Sequence, residues 1–89
     1  GELFIAPVDV IFSDENTIIP DLVYIKESNR NIKKKKAIEG TPDLIIEVLL
    51  SNKNHDLVLK KELYEEYGVS EYWIVDLDSK EIIVYIYDI

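Results

Sequence analysis

The pattern of apolar and polar residues divides the chain into strands separated by polar turns. Residues 3–12 and 18–25 are rich in β-branched and aromatic residues, which is typical of strands. Pro7 interrupts the first of these segments, so we expect an edge or a bend there. The polar residues 13–17 lie between them, and the pattern therefore predicts a hairpin.

The middle of the chain changes from strongly polar to strongly apolar. Residues 26–41 are the most polar stretch, and we expect them to form a mobile loop. Residues 42–50 are almost continuously apolar, which predicts a third strand buried on both faces. Glu47 is the one interior interruption of that strand. An ionised group is costly in such a place unless it is paired or binds a metal.

The next segment predicts a helix. Residues 56–67 follow helix-capping residues and precede Gly68, which is a good residue for ending a helix. Leu59, Leu63 and Tyr67 are spaced by four, and we expect them to form the stripe that faces the core.

Two strands complete the chain, at residues 71–77 and 81–87, with a turn at Asp78-Ser79 that predicts a hairpin. The order of elements is then β-β-β-α-β-β, which indicates an α/β protein with a mixed sheet. The chain has 89 residues, a mass of 10.3 kDa and 47% hydrophobic residues. We therefore expect one small domain over residues 1–89.

Charge and cysteine content narrow the function classes. Ten basic and eighteen acidic residues give a net charge of −8, which disfavours DNA binding by a basic patch of the usual kind. The chain has no cysteine, which excludes disulfides and thiolate metal sites. It has one histidine, which excludes a metal site built from several histidines. No apolar run is long enough for a membrane span, and we expect a cytoplasmic protein. Because it begins with Gly1 and not with Met, we expect a piece of a larger protein.

Asp21, Glu47 and Lys60 form a candidate catalytic set. Asp21 follows a proline at the head of a strand, and Glu47 interrupts an apolar strand. Asp56, Lys60 and Tyr64 are spaced by four and share one face of the predicted helix. Two acids and a lysine are the minimum for metal-dependent phosphodiester hydrolysis, since carboxylates hold the divalent cation and the ammonium group stabilises developing negative charge.

The same residues carry a resemblance to a known family. The segments APVDV, IPDLVYI, GTPDLIIEVL, the spaced set D-x3-K-x3-Y and the segment YGVSEYWIVD occur in this order. Together they resemble the Uma family of candidate endonucleases, within the PD-(D/E)XK restriction-endonuclease-like superfamily. The resemblance runs from about Ala6 to Tyr87 and covers the C-terminal half of a family member. It implies a restriction-endonuclease-like core that lacks the N-terminal part of the family fold.

The resemblance also implies roles for individual residues. Asp21 would be the first metal ligand and Glu47 the second acid, with Asp21, Glu47 and Val48 as the metal-binding set. The usual lysine position is Leu49 here, and the lysine of this family lies on the following helix, where Lys60 matches it. The implied cofactor is Mg²⁺ or Mn²⁺, and the implied activity is hydrolysis of DNA.

Other assignments stay open beside these. Asp43 shares the Pro-Asp context but opens its strand, which favours a role in a turn. Lys61 is the alternative catalytic lysine. Asp56 is expected to orient the neighbouring lysine, Tyr64 to pack with a polar tip, and His55 to lie in a surface loop.

Two alternatives concern function. The run Lys33–Lys36 is either a solvated loop or a patch that meets a DNA backbone. The acidic charge and the missing N-terminal part also fit a degenerate nuclease fold without catalysis. Such a protein would act through a sheet edge or its final strand, for instance as a homodimer.

Overall fold

The structure, a computed structural model, describes residues 1–50 and 57–87. Eight strands and one α-helix lie in this part of the chain, with a short 3₁₀ helix at Glu27–Ile32. The elements are β1 Glu2–Ile5, β2 Val10–Ile11, β3 Thr17–Ile18, β4 Leu22–Ile25, β5 Ile38–Glu39, β6 Leu44–Leu49, α1 Leu57–Glu66, β7 Glu71–Asp76 and β8 Glu81–Ile86.

Five strands form the main sheet, in the order β1-β4-β6-β7-β8. β1 pairs antiparallel with β4, β4 with β6, and β7 with β8, whereas β6 and β7 are parallel. Helix α1 connects the parallel pair, as a crossover between parallel strands requires. The main-sheet elements follow the order β-β-β-α-β-β along the chain, which confirms the predicted α/β class with a mixed sheet.

A second sheet of three very short strands, in the order β3-β2-β5, changes the prediction for the first half of the chain. The predicted strand 3–12 is two strands: β1 joins the main sheet and β2 pairs with β3 and β5. Residues 26–41 are not an unstructured loop, since they contain the 3₁₀ helix and β5. Three apolar residues hold this segment against the core, with Ile32, Ala37 and Ile38 all buried.

The core consists of two joined clusters. Val10, Val23, Ile25, Ile32 and Ile38 form the first, between the small sheet and the main sheet. Ile45, Tyr64, Val69, Tyr72 and Ile74 form the second, between α1 and the main sheet. Phe12 and Ile18 pack against both clusters. One face of the main sheet is therefore covered along its length, half by the small sheet and half by α1.

Helix α1 ends as predicted but presents a different face. The N–H of Gly68 donates to the carbonyl of Glu65 and that of Val69 to the carbonyl of Tyr64, with Gly68 at φ 80°. This pair of bonds is the Schellman arrangement that a left-handed glycine completes. The predicted core stripe is wrong at Leu59, which is 61% exposed, and the buried residue within 59–66 is Tyr64.

The opposite face of the main sheet is apolar and largely open. The prediction that β6 is buried on both faces is wrong, because Ile45 and Glu47 are buried while Leu44, Ile46 and Val48 are half-buried. Side chains alternate between faces along a strand, so Ile82, Val84 and Ile86 of β8 share the open face. These three residues are 61%, 45% and 69% exposed. No helix among the described residues has the length and apolar character needed to cross a membrane.

Candidate active site

Glu47 is the centre of a hydrogen-bonded cluster on the covered face of the sheet. The side chain lies in the middle of β6 and the residue is 8% exposed. Its Oε2 accepts a hydrogen bond from Lys60 Nζ at 3.0 Å, and its Oε1 accepts one from the Tyr64 hydroxyl at 3.1 Å. Lys60 and Tyr64 are one turn apart on α1, so the crossover helix places both donors over the same carboxylate.

Asp21 lies beside Glu47, next to the neighbouring strand β4. The pairing of β4 with β6 sets Leu22 opposite Ile46, and one step further along this register sets Asp21 opposite Glu47. Residues directly opposite in a pair share a face. The Oδ2 atom of Asp21 accepts a hydrogen bond from the backbone N–H of Val48 at 2.7 Å. Asp21, which directly precedes β4, therefore lies beside Glu47 of the adjacent strand β6.

The two tyrosines near Glu47 have raised pKa values and stay protonated, and Tyr64 donates a hydrogen bond to Glu47. Burial raises the pKa of the Tyr64 hydroxyl well above its usual value, and the charge of Glu47 and the hydrogen bond to it raise it further. Burial, and then the charge of Glu47, also raise the pKa of Tyr72. The rings of these two tyrosines meet edge to face with centroids 4.7 Å apart. Low-dielectric surroundings of this kind strengthen every charge interaction at Glu47.

The donor set suits a hard divalent cation. Among the described residues, each carboxylate oxygen of Glu47 accepts one hydrogen bond and Asp21 accepts one through Oδ2. These contacts leave further lone pairs on both carboxylates. The N–H of Val48 points toward Asp21, and the carbonyl of the same residue lies on the same side of the strand. Two carboxylates and a carbonyl are ligands that Mg²⁺ accepts together with water and phosphate. Within residues 1–50 and 57–87, no three acidic or histidine side chains cluster as a ready-made cage.

The structure separates the other candidates from this cluster. Asp43 lies at the start of β6, where its Oδ2 accepts the backbone N–H of Lys26 at 2.7 Å, which fits the expected structural role. The Lys61 ammonium lies 4.5 Å from the centre of the Tyr85 ring. Asp56 and His55 lie outside the described residues.

A pocket with a volume of about 420 Å³ opens at the other end of the sheet, around Asp43 and Glu71. Its lining includes neither Asp21, Glu47 nor Lys60. The pocket also holds two acids and a lysine, but no ion pair joins Lys26 to Asp43 or Glu71 among the described residues. We place the candidate site at Glu47, because there a lysine pairs with a buried carboxylate.

The role of Tyr64 was only half evident from the sequence. Its ring packs in the core, as expected, but its hydroxyl also donates to Glu47. The signal was the spacing of four from Lys60, which puts both side chains on one helix face. That spacing does not say which acid the face meets, because the partner lies on another element, the preceding strand β6.

A known protein family matches almost the whole chain. The Uma2 family, described as "Putative restriction endonuclease", matches residues 1–88. The chain belongs to the Uma2 family. No curated protein matches the chain significantly.

A solved structure shares the fold. The crystal structure of a putative nuclease of the DUF820 family from Anabaena variabilis ATCC 29413 superposes with a TM-score of 0.67 at 22% sequence identity. The match covers 94% of this chain and 49% of that one, so this Uma2 chain spans about half the length of the structural relative.

Proposed function

We propose that the protein is a metal-dependent endonuclease that hydrolyses phosphodiester bonds of DNA. The observation that carries the proposal is the convergence of Asp21, Glu47 and Lys60 on the covered face of the main sheet. Lys60 Nζ is 3.0 Å from Glu47 Oε2. Asp21 lies one residue beyond the pair of Leu22 and Ile46, and it accepts the N–H of Val48, the residue after Glu47. Membership of the Uma2 family and the fold of the DUF820 nuclease support the reaction class.

Each residue of the set has a role in this proposal. Asp21, Glu47 and the Val48 carbonyl would hold Mg²⁺ or Mn²⁺, which when bound supplies a Lewis acid and an acidified water. Lys60 holds a positive charge beside Glu47, where it stabilises the negative charge that develops on the phosphate oxygens. Tyr64 positions Glu47 through the hydrogen bond that its hydroxyl donates to Oε1. Without a cation, the two carboxylates repel a phosphate. The divalent cation would therefore also allow the substrate to approach.

Cleavage of supercoiled plasmid DNA tests this function, and the chain supplies a matched control. Asp21 and Asp43 both follow a proline, and both accept a backbone N–H at 2.7 Å. Asn at either position keeps an oxygen that can accept this bond, so both variants should fold. We expect Mg²⁺- or Mn²⁺-dependent nicking that Asp21→Asn and Glu47→Gln abolish and Asp43→Asn leaves unchanged. No nicking, or nicking that survives Glu47→Gln, would overturn the proposal.

A second candidate function is self-association without catalysis, and the open edge of the main sheet favours it. β8 is a six-residue edge strand with Ile82, Val84 and Ile86 exposed. It lacks the prolines and interior charges that protect natural sheet edges. Antiparallel pairing of β8 with β8 of a second copy is self-complementary, as a two-fold dimer requires. We propose a homodimer formed through this strand.

Sedimentation equilibrium tests the dimer. We expect wild type to sediment as a dimer and Val84→Lys as a monomer, because the lysine interrupts the apolar edge. Leu3→Lys is the matched control, since Leu3 is 52% exposed on β1 at the opposite edge, and it should remain dimeric. A monomeric wild type, or equal effects of the two lysines, would refute dimerisation through β8.

We further propose that residues 1–89 form one domain and that the protein acts in the cytoplasm. Phe12 and Ile18 pack against both core clusters, which supports one cooperative unit. A DNA substrate and the absence of cysteine support the location. A single unfolding transition and recovery of the protein in the cytoplasmic fraction are the expected results.

A further inference from the structure

The basic residues of the chain are concentrated in one segment. Lys33–Lys36 are four of the ten basic residues, and Lys26 and Arg30 precede them. The remainder of the chain, outside Lys33–Lys36, has six basic and eighteen acidic residues, a net charge of −12. Phosphate backbones are bound chiefly through Lys and Arg side chains. A nucleic acid that approaches this acidic protein therefore meets one strongly favourable surface.

The segment Lys33–Lys36, which we name the basic loop, is presented on an ordered support. The N–H of Lys34 donates to the carbonyl of Ala37 at 2.9 Å, and Lys33 forms a β-bridge with Ile38. Ala37 and Ile38 are buried and anchor the end of the loop. Lys34, Lys35 and Lys36 are exposed, and they form no ion pair with any described residue. Their charges are thus free to meet a ligand.

The basic loop lies on the same side of the main sheet as the candidate site. Strand β5 of the small sheet follows the loop, and this sheet packs against Val23. The side chain of Val23 lies on the same face as that of Asp21, two residues earlier. The N–H of Ala6 donates to the carbonyl of Asp21 at 2.9 Å. Three residues further along, the carbonyl of Asp9 accepts the N–H of Ile38 at 2.8 Å. One short backbone segment therefore links Asp21 to the end of the loop.

We propose that the basic loop is the docking surface for the phosphate backbone of the nucleic-acid substrate. This inference rests on the proposed function, since it identifies how the substrate of that site is held. The lysines bind phosphates on one stretch of the backbone, and a neighbouring phosphodiester reaches Asp21 and Glu47. Binding is independent of sequence, because the loop contacts phosphates and offers exposed ammonium groups alone.

The test measures how the affinity of the protein for a short fluorescein-labelled DNA duplex depends on salt. Fluorescence anisotropy reports the binding, and EDTA is present so that no cleavage occurs. The variant is Lys35→Gln/Lys36→Gln, which removes two exposed charges without touching Lys33, whose ammonium lies over Phe4. The control is Lys61→Gln/Lys80→Gln, which changes the net charge equally on another part of the surface.

Each phosphate that a lysine neutralises contributes about −0.9 to the slope of log K against log salt. We expect the basic-loop variant to lower the magnitude of the slope by about 1.8. A rise from 50 to 200 mM salt then weakens its binding roughly tenfold less than that of wild type. The control variant should keep the wild-type slope. An unchanged slope, an equal change in the control, or no binding by wild type at low salt would overturn the inference.

The two proposals fail in different ways. If the basic loop binds DNA and the plasmid assay shows no nicking, the docking surface stands and the nuclease proposal fails. If plasmid nicking depends on Glu47 but the basic-loop variant keeps the wild-type slope of log K against log salt, the nuclease proposal stands and the docking surface is wrong.

Discussion

The hydrogen bond between Tyr64 and Glu47 can be isolated with two nearly identical substitutions. Tyr64 and Tyr72 are both fully buried and pack against each other edge to face. The Tyr64 hydroxyl donates to Glu47 at 3.1 Å, whereas the Tyr72 hydroxyl has no hydrogen-bond partner among the described residues. Changing either residue to Phe removes one oxygen and keeps the ring. Tyr72→Phe is thus the control for everything except the bond to Glu47.

The two substitutions should change the free energy of unfolding differently. A hydrogen bond to a charged group contributes about 1.5–3 kcal/mol to the free energy of unfolding, so Tyr64→Phe should destabilise the protein by that amount. Lys60 stays on the other oxygen of Glu47, which prevents a larger loss. Tyr72→Phe relieves the desolvation of an unpaired hydroxyl, and it should be neutral or stabilising. For a chain of this size, each kcal/mol shifts Tm by roughly 4–8 °C.

Urea unfolding followed by the fluorescence of Trp73, the one tryptophan of the chain, measures both variants. The two variants should show the same m-value as wild type, with a lower midpoint for Tyr64→Phe alone. Equal midpoints for the two variants would refute the reasoning, since the hydroxyl of Tyr64 would then contribute nothing through Glu47. A lower midpoint for Tyr72→Phe than for Tyr64→Phe would refute it as well.

Three further predictions concern the turn, the alkaline range and the lysine. Gly68→Ala should cost about 1–2 kcal/mol in urea unfolding, because Gly68 has φ 80° and the strain is conformational, with no atom within 4 Å of an added Cβ; an unchanged midpoint contradicts this. Burial raises the pKa of Tyr87 to about 12, so the folded state keeps a proton that the unfolded chain loses near pH 10. The stability that Tyr87 contributes should be complete below about pH 10 and disappear toward pH 12, and the difference in urea midpoint between wild type and Tyr87→Phe should shrink over this window; a constant difference contradicts it. Lys60→Met should lower the rate of plasmid nicking roughly 10²–10³-fold while DNA binding in EDTA stays unchanged; an unaffected rate excludes Lys60 from the reaction.

The main sheet was predictable because its strands carry long apolar patterns. β6, β7 and β8 are six residues each and contain many β-branched or aromatic residues, which favours a strand over a helix for an apolar run of this length. The small sheet was not predictable, since β2, β3 and β5 have two residues each. A pair of residues has no periodicity, and the tertiary contacts of Val10 and Ile38 decide its structure. The polar composition around Ile38 concealed its burial.

The candidate site was visible where it violates the folding pattern. Glu47 interrupts an apolar strand, and this conflict between local pattern and burial marked it. The face of α1 was misassigned for the same reason, because the inward face carries Lys60 and Tyr64 in place of Leu59. A pattern of apolar residues identifies the core-facing side of a helix only when that side carries no polar residues that bond to the rest of the protein.

Mn²⁺ titration of the chain, followed by paramagnetic broadening of its backbone amide NMR signals, tests the central claim most directly. Broadening decays steeply with distance from the ion, so it locates the metal without any assumption about activity. The account predicts that the amide signals of Asp21, Glu47 and Val48 broaden first, and that Asp21→Asn removes the effect while Asp43→Asn does not. Broadening that starts at the other acidic residues of the surface, or no broadening at all, would contradict a metal site at Glu47.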